Sequence, residues 1–178
     1  MVYMFLADGF EEVEALAPLD ILRRANVDIV TVGVNGEFAV GAHDITVKAD
    51  ILLSDVNLDD LEGVILPGGL GGTNNMDSSS KVKEIIKFAS DNDKLVCAIC
   101  AAPSILGKMG LLEGKEATCY PGFENTFTGG KYIKKSVVKC GNFITSDGMG
   151  SAYKFGFAIT QALAGCDVEE KIKEQIQY

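Results

Sequence analysis

The chain has 178 residues, 47% hydrophobic and 23% charged, a composition that suits one globular domain over residues 1–178 and excludes a disordered segment. A formal net charge of −9, with 25 acidic against 16 scattered basic residues, excludes the clustered Lys and Arg of a nucleic-acid surface. No apolar stretch approaches a membrane span, the opening run is too short for a secretory signal, and five cysteines without framework spacing point to free thiols in a reducing, cytoplasmic setting.

In chain order, short apolar runs alternate with amphipathic stretches, the pattern of βαβ units and a mostly parallel sheet. Residues 2–6 read as a strand and 11–25 as a helix, with Val13, Leu16, Ala17 and Ile21 at helical spacing. A second strand is expected over 27–34, and short paired strands over 38–47. Residues 63–66 form a buried strand ending in Pro67-Gly68-Gly69, followed by a Gly-rich loop and a helix over 80–90. A buried strand over 94–99 runs into a helix over 101–108. Weaker strands follow at 117–119, 137–140 and 142–145, then a strongly apolar helix over 151–164. A last helix carries one stripe of Val168, Ile172 and Ile176.

The segment from Leu95 to Ser104 concentrates the chemistry. An apolar β-rich run meets a helix-forming run with no loop residues between them, which demands a sharp bend with Cys100 at its tip. Ala98 and Ala102 are small enough for that crowding, and Pro103 suits a first helical turn. A cysteine at a helix N-terminus is expected to favour the thiolate. Cys97 and Cys100 spell C-x-x-C, but Cys97 belongs to the strand and extended geometry points the two side chains to opposite faces. Cys119, Cys140 and Cys166 lack metal-ligand spacing, and with one histidine no metal site and no cofactor are expected.

Among Glu11, Glu12 and Glu14, the last is set apart by Pro18 four residues later, which withholds a donor from its carbonyl and should distort the helix there. That places Glu14 beyond the carboxyl edge of the first strand, where ligand sites of α/β sheets gather. The glycines of the 68–72 run allow a turn or exposed N–H groups for an anion, without the Lys-Ser/Thr of a phosphate loop. Beside the Cys100 strand, oxyanion donation is the favoured role, and nucleotide or phosphate binding ranks last.

Together these features resemble the ThiJ/PfpI superfamily, in its parkinsonism-associated protein deglycase branch. The matching segments are Asp8-Gly9-Phe10-Glu11-Glu12-Val13-Glu14, Leu66-Pro67-Gly68-Gly69, Ala98-Ile99-Cys100-Ala101-Ala102-Pro103 and Thr145-Ser146-Asp147-Gly148-Met149-Gly150. The resemblance implies a flavodoxin-like, class I glutamine amidotransferase-like α/β sandwich and a homodimer through the first helix, around Pro18, Asp20 and Arg24. It implies an oxidisable nucleophile at Cys100, a protonated partner at Glu14, and a pocket of Gly68, Gly69, Ala101 and Tyr120. Small carbonyl compounds, or glycated protein and thiol adducts, are the implied substrates. The implied activity is deglycase-like, with a redox sensor or chaperone as the alternative. Ala101 directly after Cys100 removes the Cys-His pair of protease and amidotransferase relatives. Tyr120-Pro121 stands where some members place a pocket histidine. His43, the only histidine, is expected on a hairpin and outside the chemistry.

Overall fold

A computed structural model describes residues 1–178. The first half contains β1 (Val2–Leu6), α1 (Glu12–Arg24), β2 (Ile29–Gly33), β3 (Phe38–Val40), β4 (Thr46–Lys48), β5 (Ile51–Leu52), β6 (Gly63–Leu66), α2 (Leu70–Ser78) and α3 (Ser80–Asp91). The second half contains β7 (Leu95–Ile99), α4 (Pro103–Lys108), β8 (Glu116–Ala117), β9 (Lys131–Tyr132), β10 (Val137–Cys140), β11 (Phe143–Ser146), α5 (Ala152–Ala164) and α6 (Cys166–Gln175). Seven strands form one sheet in the order β10-β11-β7-β6-β1-β2-β5. All its neighbours are parallel except the β10–β11 pair.

Strand alternation divides the core into two layers. Tyr3 and Phe5 of β1 face one layer with Val82, Ile85 and Ile105 of α3 and α4. Val2, Met4 and Leu6 face the other, with Leu19 and Leu22 of α1 and Phe155 and Ile159 of α5. Helices therefore cover both faces, and β1, β6 and β7 are buried runs rather than alternating ones.

Helix α1 begins with Glu11 as its cap, whose carboxylate accepts from Glu14 N–H at 2.7 Å. Glu12 and Glu14 lie in the first turn and Arg23 and Arg24 in the last, complementing the helix dipole. The expected distortion at Glu14 does not interrupt it: the helix runs through Pro18 from end to end. Packing against α5 sustains it there, because Gly156 brings the α5 backbone onto Pro18. Pro18 is buried. Asp20 and Arg24 are exposed and pair with each other at 2.7 Å.

The glycine run departs from the expected loop. Only Pro67 to Gly69 bridge β6 and the next element, and Leu70 opens helix α2. Glycine is a poor helix former, but Gly71 and Gly72 lie directly on the backbone of Gly9 and Phe10. Close packing of the β1–α1 loop outweighs propensity here. No helix is long and apolar enough to cross a membrane.

Candidate functional site

Strands β1, β6 and β7 are adjacent in the sheet. The segments leaving their carboxyl ends carry Glu14, Gly68 and Cys100, so three elements far apart in sequence converge at one edge. Gly68 is the point of contact. A Cβ there would strike the Glu14 carboxylate and the Cys100 Cβ together, which means that the two side chains close over a position where only hydrogen fits. Gly69, at φ 81°, turns the chain into α2 with a backbone conformation that side chains resist.

Cys100 follows β7 at φ 63°. Of the five non-glycine residues with positive φ, three are Asn26, Asp44 and Asp93, types that tolerate this region. Gln177 is next to the chain terminus. Cys100 is therefore the strained interior position, as expected for the tip of an elbow. Its N–H donates to Ser146 O at 2.9 Å and its carbonyl accepts from Tyr120 N–H at 2.8 Å. The left-handed turn also reorients the side chain: Cys100 packs on the same layer as Cys97 and Ile99, not on the opposite face. Cys97 is buried and all five thiols are free.

The elbow does not open straight into a helix. Cys100, Ala101 and Ala102 form a turn, with Ala102 capping the six-residue α4. The dipole of so short and remote a helix gives the sulfur little help, which removes one reason for expecting a thiolate. Burial is the main influence on the thiol, followed by the charge and hydrogen bonding of Glu14, and together they push it up to about 12. Hydrogen bonding from the Gly69 and Ala101 backbone opposes the rise. Glu14 is itself buried, and that burial lifts its carboxyl to about 7. The thiol and the Gly68 N–H, at 3.0 Å from Oε2, favour its charged form, whereas Glu11 adds to the rise. Two acids this close titrate as a pair, and one proton is held between them above neutrality.

Gly68 lines the site, as expected, between Glu14 and Cys100. Its N–H is taken by Glu14, leaving the Gly69 and Ala101 amides as donors at the sulfur. Tyr120 is exposed, and its ring lies against Gly148 at the mouth of a neighbouring cleft. His43 stands on the turn between β3 and β4, where its N–H and Nδ1–H donate to the two Glu12 oxygens at 2.7 and 2.8 Å. Glu12 is buried, which by itself raises its carboxyl, but the His43 ring and backbone overrule this and hold it low. Ligand atoms of Glu11, Glu12 and His43 lie within 4.8 Å of one another. They are the side chains with the spacing to hold a cation, although His43 already occupies both Glu12 oxygens. Sequence reasoning passed over the Glu12–His43 pairing, since a hairpin 31 residues away has no signature in helix periodicity.

A family model described as the DJ-1/PfpI family matches residues 1–162. Protein dj-1beta of Drosophila melanogaster is 41% identical over 174 residues, covering 96% of this chain and 91% of its own. Its crystal structure superposes with a TM-score of 0.94 at 37% identity, over 99% of this chain and 96% of that one. The structure of oxidised Toxoplasma gondii DJ-1 gives a TM-score of 0.94 at 31% identity, over 99% and 97%. A protein of Pyrococcus abyssi named as a deglycase is 30% identical over 154 residues, covering 85% of this chain and 92% of its own.

Proposed function

The chain belongs to the DJ-1/PfpI family, and from that premise we propose that it is a cysteine-dependent, deglycase-like hydrolase of dicarbonyl-derived adducts. The observation that carries this reading is the buried Glu14 carboxyl, lifted to about 7, closing over Gly68 onto the Cys100 thiol. A base whose affinity for a proton matches neutral pH can take one and return it within a single cycle. The adduct, a carbinol, breaks its bond to nitrogen or sulfur as its O–H proton passes to the departing amine or thiol. The Cys100 sulfur bonds to the aldehyde carbon so freed, Glu14 accepts the thiol proton, and the C=O electron pair moves onto oxygen. The Gly69 and Ala101 N–H groups, which favour the charged sulfur, steady that oxyanion. Glu14 returns the proton to that oxygen, and the carbinol C–H and O–H protons shift to the neighbouring carbonyl, so that the adduct on sulfur becomes a thioester of a 2-hydroxy acid. Water cleaves the thioester to the acid and the free thiol. The name of the Pyrococcus abyssi relative agrees with this chemistry.

The test is turnover of methylglyoxal-adducted thiols and amines, with controls for scavenging by buffer. Wild-type rates in the Cys100→Ser variant would end the reading. A second reading, a redox sensor without turnover, draws on the same two amides: they face the sulfur itself and would stabilise a sulfinate. Mass spectrometry after mild peroxide separates the two. Selective oxidation of Cys100 without any turnover favours sensing, and equal oxidation of all five thiols removes it.

A further inference from the structure

Beside the elbow lies a cleft of about 380 Å³, lined by Tyr120, Tyr132, Lys134, Lys135, Asp147 and Gly148 among others. We propose that it receives an anionic group of the substrate, the carboxylate of the amine or thiol that carries the carbonyl adduct. This deepens the reading of Cys100 as a nucleophile, on which it rests.

The cleft is built onto the elbow by the backbone of Cys100. The Cys100 carbonyl holds Tyr120 on one wall through its N–H, and the Cys100 N–H is held by Ser146 O, where β11 ends and the opposite wall begins. Ser146 Oγ in turn donates to Ser136 O at 2.7 Å, and Asp147 N–H to the same carbonyl at 3.2 Å. These two bonds fix the segment bearing Lys134 and Lys135. The walls of the cleft are therefore positioned relative to the elbow by peptide hydrogen bonds.

The charge of the cleft opposes that of the whole chain. The sequence carries −9, yet two lysines line this cleft against the single carboxylate of Asp147. Neighbouring Lys131 is engaged by Glu116 at 2.8 Å, while Lys134 and Lys135 have no ion-pair partner and remain exposed. Glu124 turns its carboxylate back onto Gly122 N–H at 2.6 Å. Two ammonium groups without an ion-pair partner, in a cleft also lined by Tyr120 and Tyr132, suit a small carboxylate with an organic body. A neutral dicarbonyl adduct alone would leave them unused.

The experiment has a binding arm independent of turnover. Isotope-labelled protein bearing Cys100→Ser is titrated with N-acetyl-S-methylcysteine and with its uncharged amide, following the Gly148 and Tyr120 amide resonances. The acid should bind about fivefold more tightly than the amide, the worth of two solvent-exposed ion pairs, and Lys134→Gln with Lys135→Gln should abolish the preference. Equal binding of acid and amide, or a preference that survives both substitutions, overturns the proposal. In wild-type protein, methylglyoxal adducts of N-acetylcysteine and N-acetylcysteine amide are then compared by KM and kcat. The lysine pair should alter KM for the acid alone and leave kcat and the amide unchanged. A charge preference in binding with no turnover of either adduct refutes the hydrolase reading and keeps the cleft. Turnover of both with no preference in binding refutes the cleft and keeps the hydrolase.

Discussion

Replacing Glu14 with glutamine removes a titrating proton while keeping the shape and an acceptor for the Gly68 N–H. The carboxyl titrates near 7 in the folded chain against an ordinary value of 4.5. Between those limits the folded state binds more protons than the unfolded one, so stability is fully present below the lower value and falls as pH rises through the upper. At about 1.4 kcal/mol for each tenfold change in proton affinity, the loss amounts to about 3 kcal/mol. The bookkeeping counts protons and not their location, so it holds whether sulfur or carboxyl keeps the last one. Urea unfolding of wild type and Glu14→Gln at pH 5 and pH 8 reads it directly. The variant should gain about 2–3 kcal/mol on the wild type over that interval. A gap that stays constant with pH would refute the reasoning, because it would mean that Glu14 ionises in the folded chain as it does in water.

Two further predictions follow from contacts around this edge. Gly68→Ala puts a methyl group onto both Glu14 and Cys100 and should cost about 1–3 kcal/mol in urea unfolding, as overpacking does; Gly150→Ala, with open space around its Cβ, is the control, and equal stability of the two variants would show that the site has room. The single His43 resonance gives an unambiguous NMR titration. Hydrogen bonding and charge from Glu12 raise its pKa, so Glu12→Gln should move the midpoint down, and an unmoved midpoint would mean that the pair is absent in solution.

The βαβ alternation and the elbow were legible because each rests on local rules: apolar run length, small flanking residues and a proline in a first turn. Cys100 could be found from its neighbours in sequence, and Glu14 from its position after β1. What was not legible depended on distant packing. Helix α2 hides in a glycine run whose helical state is selected by contact with Gly9 and Phe10. Pro18 was expected to disturb α1, yet α5 supports that turn through Gly156. The thiolate expectation rests on a helix dipole from which a turn separates Cys100, and burial beside Glu14 pushes the thiol up against two amides. Lys134 and Lys135 looked like scattered surface charge until the backbone of Cys100 placed them.

The left-handed conformation of Cys100 bears on how the sequence can drift. A β-carbon in that region carries a penalty on the order of 1–2 kcal/mol, which glycine would escape. At this position the fold and the sulfur therefore pull in opposite directions: Cys100→Gly would relax the backbone and remove the thiol beside Glu14. The thiol stands at a position where the backbone alone would be better served by glycine.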